Sequence, residues 1–407
     1  MYDAIVVGAR CAGSPTAMLL ARKGYRVLLV DRAAFPSDTM STLYIQQSGV
    51  ARLKRWGLLD QVRRSGCPPI RRWAWDVGVE KLTGFPPSPD GIDEAFAPRR
   101  TVLDEILVNA AALAGAEVRE RFTVREIERE GERVTGIRGK LADGSTVREQ
   151  ARIVIGADGM RSLVARAVAA PAYGEGPPMI CWYYTFFSGV TCEAFEMYGR
   201  VKHAMAAAPT NDGLTMVTAG WSREHFTEYK ADLERSWFRT VGLAPELADR
   251  LRRGKREERF VGSADLPTFF RRPFGPGWAL VGDAGYFKDP ITALGISDAF
   301  RDAELLASAV DDGFAGRKPL HDALSSYERA RNEAAAPTCA WTSRLAELRP
   351  ISPKGALFYA ALKRDQDETN RYLGLISGAV TPEEFFERRN MERSVGRADD
   401  EGGDARA

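Results

Sequence analysis

The hydrophobic and polar positions at the start of the chain change period twice within thirty residues. A Val/Ile-rich run ends at Val7 and is typical of a buried strand, whereas the stretch that ends at Lys23 has the spacing of a helix. A glycine-containing turn, residues 8–13, separates the two, and a second apolar run covers residues 27–30. This order of strand, turn, helix and strand predicts a βαβ unit.

The middle of the chain changes from helix and strand signals to aromatic runs. Residues 101–115 have helical apolar spacing, and charged and apolar segments alternate from there to about Val147, before the apolar run at 153–155. Between about 173 and 265 the chain carries strand-like aromatic runs mixed with polar helices such as 224–239. We therefore expect a second, sheet-bearing domain inserted into the first.

The C-terminal third returns to the first pattern and then becomes mostly helical. A strand at 278–281 and a turn precede a long helix from about Ser297 to Val310. Further on, Thr381 and Glu384 have the spacing of a capping box, which predicts the start of another helix.

Composition and charge exclude several classes of function. The chain has 57 Lys and Arg against 55 Asp and Glu, and this formal charge of +2 provides no long-range field that would attract nucleic acid or an anionic membrane. The pattern shows neither a secretory leader nor an apolar segment of membrane-spanning length. We expect a cytoplasmic protein with no nucleic-acid partner and no stable membrane anchor.

Cysteine and histidine residues are scattered rather than grouped. The five cysteines include no C-x-x-C pair, and none of the three histidines is spaced with a second His or a Cys. We therefore expect reduced thiols and no metal site. Any oxygen chemistry would then need an organic cofactor.

The turn after the first strand has the context of a dinucleotide-binding fingerprint. Gly8 permits a tight turn, and Gly13 opens a helix whose free N–H groups and partial positive charge suit a pyrophosphate. Asp31, at the end of the next strand, is spaced to accept a hydrogen bond from a ribose hydroxyl and argues against a 2′-phosphate there. Arg10 replaces the middle glycine, so its side chain must point away from the ligand or contact it.

Two further motifs follow strands later in the chain. Asp158 and Gly159 lie between an apolar strand and a helical stretch. Gly282 and Asp283 come directly after a second strand, and the segment 289–299 then leads into the long helix. Three motifs in this order, each after a strand, are far more specific than any one of them.

Together these motifs resemble the three signatures of the single-component flavoprotein aromatic hydroxylases, which have the para-hydroxybenzoate hydroxylase fold. The resemblance covers roughly residues 1–170 and 265–330. Geranylgeranyl reductases and flavin-dependent halogenases carry a similar set of motifs.

The resemblance implies FAD as the cofactor and suggests which residues bind it. In that family the carboxylate matching Asp283 binds the ribityl chain, and the Pro-to-Gly segment crosses the isoalloxazine near its pyrimidine edge. Arg100, in an Arg-x-x-Leu motif at a helix start, matches a usual flavin or phosphate contact. The cofactor-binding residues implied are Gly8, Ala9, Arg10, Cys11, Ala12, Gly13, Asp31, Arg32, Arg100, Asp158, Gly159, Gly282, Asp283, Pro290, Leu294, Gly295 and Ile296.

Two departures from the family pattern concern how the flavin is positioned. Gly285 and Tyr286 stand where the family commonly has Ala and His after its Gly-Asp-Ala. Ala293, Leu294 and Gly295 stand where the family has Gly-Gln-Gly.

The fold class that we expect is α/β, with a Rossmann-type FAD-binding domain, an inserted sheet-bearing substrate domain and a helical C-terminal region. The 407 residues are enough for two domains. The expected boundaries are 1–70, 96–172 and 266–345 for the discontinuous FAD-binding domain, 71–95 and 173–265 for the substrate domain, 346–396 for the helical region and 397–407 for a disordered tail.

The reaction implied by the resemblance is that of a monooxygenase. FAD reduced by NADPH or NADH reacts with O₂ to give a flavin C4a-hydroperoxide, whose distal oxygen passes to a small, aromatic or polycyclic substrate. The resemblance leaves open whether a separate flavin reductase is required. No catalytic acid or base is assigned.

Two other flavin reactions are alternatives. A geranylgeranyl reductase-like enzyme would reduce carbon–carbon double bonds. A halogenase would carry a Trp-x-Trp-x-Ile-Pro signature, whereas Trp73 and Trp75 lack the Ile-Pro and lie in a different part of the chain. A non-enzymatic flavoprotein is a further alternative.

Substrate contacts are expected from the inserted domain and from the loop after the second strand. Alternate residues of the aromatic run 182–187 would face the cavity beside the flavin. The candidate substrate residues are Tyr44, Gln46, Gln47, Trp182, Tyr184 and Phe186.

Overall fold

The computed structural model describes residues 1–88 and 90–387. The predicted tail, 397–407, and the end of the predicted helical region, 388–396, lie outside the described residues.

The described residues form nineteen strands, which we number in chain order. They are β1 (Tyr2–Val7), β2 (Val27–Val30), β3 (Trp73–Asp76), β4 (Lys81–Gly84), β5 (Glu117–Arg119), β6 (Thr123–Glu130), β7 (Arg133–Lys140), β8 (Thr146–Gly156), β9 (Ala172–Gly176), β10 (Ile180–Ser188), β11 (Phe195–Arg200), β12 (His203–Pro209), β13 (Thr215–Ser222), β14 (Lys255–Arg256), β15 (Val261–Ser263), β16 (Thr268–Arg271), β17 (Phe274–Gly275), β18 (Trp278–Leu280) and β19 (Tyr286–Phe287).

The helices connect and cover these strands. They are α1 (Gly13–Arg22), α2 (Gln47–Trp56), α3 (Leu59–Arg64), α4 (Arg100–Leu113), α5 (Leu163–Ala167), α6 (Phe226–Ala231), α7 (Leu233–Val241), α8 (Pro245–Arg253), α9 (Gly295–Phe314), α10 (Leu320–Ala346), α11 (Pro353–Arg364) and α12 (Gln366–Ser377). Short 3₁₀ turns lie at Asn211–Gly213, Arg223–His225, Gly282–Ala284 and Pro290–Thr292.

The first sheet is built around the predicted βαβ unit. Its order is β17-β18-β8-β1-β2-β5, with β1 parallel to both β2 and β8, and the antiparallel pair β6–β7 joins it through β8. Apolar residues of α1, α4 and α9 pack against one face, and those of β6, β7 and α5 against the other. Strands buried on both faces need continuous apolar sequence, which is why β1 and β2 read as Val/Ile/Leu runs.

The second sheet has the order β14-β10-β13-β12-β11-β3-β4, and β15 also pairs with β10. Its strands come from both parts of the predicted substrate domain, because β3 and β4 lie in 71–95 and the others in 173–265. Helices α7 and α8 pack on one face. On the other face, α11, α12 and Phe385 join a core with the strand residues Trp73 and Trp75.

The predicted fold class is thus confirmed. The capping box is also confirmed, since Thr381 N donates to the Glu384 carboxylate and Glu384 N donates to Thr381 Oγ1. The single helix expected over 224–239 is wrong. The helix breaks at Asp232, which leaves helical geometry and caps α7 by accepting a hydrogen bond from Arg235 N, so α6 and α7 are separate.

Helices long and apolar enough to cross a membrane are absent from the described parts of the chain.

Candidate functional site

A cavity of about 950 Å³ lies where the first sheet faces the second. Its floor is formed by the ends of β1, β2 and β8, at which the dinucleotide turn, Asp31 and Asp158 are located. Clefts beyond the carboxyl ends of parallel strands are the usual ligand sites of such sheets. We call the lining from the second sheet the apolar wall; it consists of Trp182, Tyr184, Phe195, Ala206, Met216 and Thr218.

Most of the predicted cofactor-binding residues line this one cavity. The lining includes Gly8, Arg10, Cys11, Ala12, Asp31, Arg32, Arg100, Asp158, Gly159, Gly282, Asp283, Pro290, Leu294, Gly295 and Ile296. Ala9 and Gly13 belong to the same turn but are not among the lining residues. The fold therefore brings together segments that are up to 288 residues apart in the chain, from Gly8 to Ile296.

The turn before α1 requires glycine at two positions. Gly8 has a φ of +103°, and a Cβ there would lie 2.4 Å from the carbonyl oxygen of Ala157. A Cβ on Gly13 would lie 1.7 Å from the carbonyl oxygen of Gly8. Neither contact is sterically possible. The turn therefore packs as closely against β8 and α1 as a dinucleotide fingerprint does.

Arg10, the departure from the fingerprint, points away from the turn. Its Nη1 lies 2.5 Å from Asp104 Oδ2, its Nη2 donates to Ser37 Oγ at 2.9 Å, and its guanidinium lies 5.3 Å from the ring centroid of Phe35. Arg100 donates to the same carboxylate through Nε at 3.1 Å and Nη2 at 2.8 Å. One fully buried carboxylate therefore binds two cavity-lining arginines.

Asp31 is held by the backbone at the end of β2. Its Oδ2 accepts from Ala9 N and its Oδ1 from Ala33 N, both at 2.8 Å. A carboxylate has about four lone-pair positions, so it can still accept hydrogen bonds from the cavity.

Asp158 is committed to local structure. Its carboxylate accepts from Ser162 Oγ at 2.5 Å and from Leu163 N at 2.6 Å, at the start of α5. Burial raises the pKa of Asp158, and these hydrogen bonds oppose that shift. Asp158 thus positions Gly159 and α5 at the cavity edge.

Asp283 faces the interior of the cavity. Its side chain borders the open space of the cavity, but the surrounding protein desolvates the carboxylate and raises the pKa of Asp283 to about 6, although Arg100 opposes the shift. The preceding Gly282 has a φ of +61°, and a Cβ there would lie 2.7 Å from the Cβ of Ala12. The second motif is thereby packed directly against the first.

The segment before α9 forms the next part of the lining. Lys288 and Asp298 are both buried and form an ion pair at 2.5 Å. Asp289 Oδ1 accepts from Ile291 N at 3.0 Å and from the indole Nε1 of Trp182 at 3.1 Å. Ala293 has a φ of +51°, a left-handed conformation that costs a non-glycine residue about 1–2 kcal/mol. Such backbone strain is often found at functional sites.

Trp182 fits against the sheet because the residue opposite it is a glycine. In the β10–β13 register Trp182 pairs with Gly220, and a Cβ there would lie 2.6 Å from the indole ring. Together with the hydrogen bond to Asp289, this contact fixes the indole between the apolar wall and the segment before α9.

The other predicted substrate residues do not line the cavity, because their side chains are used in packing and in hydrogen bonds to the main chain. Tyr44 is fully buried, stacks on Phe195 at 4.0 Å and accepts from Trp73 Nε1. Gln46 Nε2 donates to Thr292 O at 3.2 Å. Gln47 Nε2 donates to Pro86 O and Ile92 O, and Phe186 packs under the guanidinium of Arg99. The hydrogen bond from Gln46 therefore holds the carbonyl of Thr292, the residue directly before the strained Ala293.

A family model described as FAD binding domain matches residues 1–342 of the chain. The chain belongs to this FAD-binding family. The predicted relationship to flavoproteins of the para-hydroxybenzoate hydroxylase fold is confirmed. The protein is a flavoprotein with an FAD-binding domain.

Curated relatives of this FAD-binding protein carry out different reactions. It is 27% identical to a tryptophan 2-halogenase of Chondromyces crocatus over 80% of this chain, but the match spans only 64% of the halogenase. It is 26% identical to a digeranylgeranylglycerophospholipid reductase of Methanocella arvoryzae, over 82% and 83% of the two chains. It is 27% identical to a 6-methylpretetramide 4-monooxygenase of Streptomyces rimosus, over 84% of each chain.

Solved structures support the fold of the FAD-binding protein. The myxobacterial chondrochloren halogenase superposes with a TM-score of 0.78 at 23% identity, over 93% of both chains. A flavin-dependent brominase superposes with a TM-score of 0.79 at 18% identity, over 98% of this chain and 99% of that one.

Three buried residues of the site were not predicted from the sequence. Asp104 follows Arg100 by four residues, a spacing that predicts an ion pair on a helix and could have identified it. Lys288 and Asp289 precede Pro290 directly, but nothing in the local pattern shows that a lysine and an aspartate would be buried there.

Proposed function

We propose that this protein is an FAD-dependent monooxygenase that uses NADPH or NADH and O₂ to hydroxylate a small aromatic or polycyclic substrate. The observation that carries the proposal is the continuity of the cavity. One continuous space runs from the dinucleotide turn at Gly8 to the apolar wall, so a bound flavin and an aromatic ring would share a site from which they displace water.

The residues that line the cavity fit FAD. The two glycines that leave no room for a Cβ and the N-terminus of α1 would receive the pyrophosphate. Asp31 would accept from a ribose hydroxyl, and Asp283 from the hydroxyls of the ribityl chain. Arg100, held by Asp104, would contact the flavin or a phosphate. When bound, the flavin supplies the electrons for oxygen activation, and this activation needs no metal.

The segment before α9 would hold the isoalloxazine at its pyrimidine edge. Pro290, Leu294, Gly295 and Ile296 line the cavity there. A Cβ on Gly295 would meet nothing within 4 Å, so this glycine borders open space. At its N-terminus α9 has free backbone N–H groups, and these would stabilise negative charge on the ligand.

The choice among the flavin reactions rests on the monooxygenase relative, which aligns over 84% of both chains, and on the position of the tryptophan pair. Trp73 and Trp75 are buried in the core between the second sheet and α12, and they do not line the cavity. They therefore give the halogenase alternative no support. The reductase relatives keep double-bond reduction as the competing reaction.

Labelled oxygen distinguishes these reactions. We expect the FAD-loaded protein, with NADPH or NADH and a panel of phenols and polycyclic phenols, to consume O₂ and to transfer one ¹⁸O atom from ¹⁸O₂ to a product. A run with added flavin reductase tests whether a separate reductase is needed. Product saturation without ¹⁸O would support the reductase instead, and halide incorporation would support the halogenase.

Asp283→Ala serves as the control for the flavin requirement. Loss of an acceptor inside the cavity should lower the FAD content of the purified protein and the oxygen transfer together, while the apoprotein should be no less stable than wild type, because the raised pKa of Asp283 makes its ionised form unfavourable. Oxygen transfer that persists without bound FAD would contradict the proposal.

A further inference from the structure

The apolar wall carries no charged side chain. Its six members are aromatic, aliphatic, thioether or hydroxyl residues, and the adjoining Leu266 and Ile291 are apolar too. Binding a carboxylate or phosphate against such a surface is unfavourable, because the anion loses its hydration, unless a cation compensates for the loss.

The cations that line the cavity are not part of the apolar wall. Lys288 binds Asp298, whereas Arg10 and Arg100 share the single carboxylate of Asp104 and so keep one net positive charge. That charge lies beside the dinucleotide turn, where the phosphates of FAD are proposed to bind. The other cationic residues of the cavity lie in or next to elements of the first sheet and α5; they are Arg32, Arg125, Arg161 and Arg166, of which Arg161 is paired with Asp265.

The charges near Tyr184 oppose each other. Burial and Asp38 raise the pKa of Tyr184, whereas Arg100 lowers it. Asp289, which contacts Trp182, has a pKa raised by burial to about 7 and is only partly ionised at neutral pH. Neither sign of charge dominates at this end of the cavity, so an anionic ligand gains no net attraction there.

Tyr184 provides a hydrogen-bond donor in the apolar wall. Burial raises the pKa of Tyr184 to about 12, although the backbone N–H of Ser41 opposes the shift, so the proton is retained at neutral pH. Within the described residues the structure shows no acceptor for the Tyr184 hydroxyl hydrogen. The other hydroxyl of the wall, Thr218, donates to the carbonyl oxygen of Tyr183 at 3.3 Å.

We propose that the cavity takes an uncharged aromatic substrate and that the Tyr184 hydroxyl donates a hydrogen bond to a neutral hydroxyl or carbonyl oxygen on it. This inference rests on the proposed function only in placing the flavin at the other end of the same cavity. It excludes free aromatic carboxylates and aryl phosphates as good ligands.

Three matched probes test the charge requirement in the FAD-loaded enzyme. Naphthalene, 2-naphthol and 6-hydroxy-2-naphthoate are titrated anaerobically without reductant, and the Kd of each is read from the absorbance change of the bound flavin. We expect 2-naphthol to bind at least about tenfold more tightly than 6-hydroxy-2-naphthoate, because the carboxylate loses its hydration without gaining a cation.

Tyr184→Phe tests the donor. The substitution should weaken the binding of 2-naphthol by about three- to tenfold, as expected for the loss of one neutral hydrogen bond. It should leave the Kd of naphthalene unchanged. Tyr183→Phe is the matched control, because Tyr183 is the next residue along β10, stacks on Trp221 at 5.5 Å and does not line the cavity. Thr218→Lys should improve 6-hydroxy-2-naphthoate binding by supplying the missing cation.

The inference is overturned if 6-hydroxy-2-naphthoate binds the wild-type enzyme as tightly as 2-naphthol does, or if Tyr184→Phe and Tyr183→Phe give the same 2-naphthol Kd. These binding measurements involve no oxygen transfer. An enzyme that shows the expected selectivity but transfers no ¹⁸O would contradict the proposed function and leave this inference standing.

Discussion

Arg10 Nη1 lies 2.5 Å from Asp104 Oδ2, and this contact explains how an arginine occupies the middle position of a dinucleotide turn. The side chain leaves the turn and binds a carboxylate with no exposed surface, to which Arg100 is also bound. A long side chain is tolerated where the fingerprint has glycine because α4 presents an anion beside the turn.

Asp104→Asn should destabilise the protein by about 3–5 kcal/mol, because it leaves two arginines without their buried counter-charge. FAD content should fall as well, since both arginines line the cavity. The measurement is chemical denaturation together with flavin stoichiometry. Asp60→Asn is the control: this aspartate pairs with Arg63 on the surface, and its loss should cost no more than about 1 kcal/mol. Equal effects of the two variants would refute the buried-anion argument.

Gly295→Ala should separate stability from cofactor binding. The added Cβ enters open cavity space, so the free energy of unfolding of the apoprotein should change by less than about 1 kcal/mol. The FAD Kd should rise by at least about tenfold, because the methyl group would occupy space proposed for the flavin. Gly176→Ala is the control, since its Cβ would make an ordinary contact 3.7 Å from Thr268 Cβ, away from the cavity. FAD binding unchanged in Gly295→Ala would rule out this placement of the flavin.

Asp289→Asn should give a pH-dependent gain in stability. Burial raises the pKa of Asp289 to about 7 from an ordinary value of 3.8, so the folded protein loses stability as the pH rises from about 4 to 7. The asparagine variant escapes this loss. It should be more stable than wild type by about 1–4 kcal/mol at pH 8, with the difference shrinking as the pH falls and vanishing below about pH 4.

The check on Asp289 is a series of thermal or denaturant unfolding curves for the apoprotein between pH 4 and 8. The nearby Cys181 thiol does not titrate in this range, because burial raises its pKa to about 11. A stability difference that is the same at every pH would show that Asp289 is not the titrating group.

Gly220→Ala should disturb Trp182 through a direct clash across the β10–β13 pair. Overpacking of this kind costs about 1–3 kcal/mol. In a Trp182→Ala background at least half of that cost should disappear, because the ring that the methyl group would strike is gone. The remaining cost reflects Ile180, whose side chain is 2.9 Å from the same position. Strictly additive free energies of unfolding in the double variant would contradict a direct contact.

Local sequence was enough to predict the parts of the site that depend on backbone geometry. Gly8 and Gly13 were recognisable because a strand, a tight turn and a helix leave a characteristic glycine spacing. Asp283 was recognisable because it follows a strand and precedes a helix-entry segment in the family's order. These residues do line one cavity, apart from Gly13, which lies in the turn behind it.

Side-chain roles were predicted less well. Tyr44 and Gln46 lie in the expected loop and Gln47 is the first residue of α2, but their side chains bond to Trp73 and to backbone carbonyls of other segments instead of facing the cavity. Phe186 belongs to the predicted strand β10 and has the same alternation as Trp182 and Tyr184, yet only the latter two line the cavity. Alternation identifies a face of a strand, whereas the extent of the cavity along that face depends on neighbouring segments.

The βαβ unit, the order of the three motifs and the membership of a flavoprotein family were predictable from the sequence, because strand and helix periods and glycine spacings are local properties of the chain. Contacts between distant segments bring Asp104 to both Arg10 and Arg100, place Gly220 beside the indole of Trp182, and leave the apolar wall without a charged side chain. Each of these depends on which distant side chains meet, and the energy of a buried charge depends on that meeting.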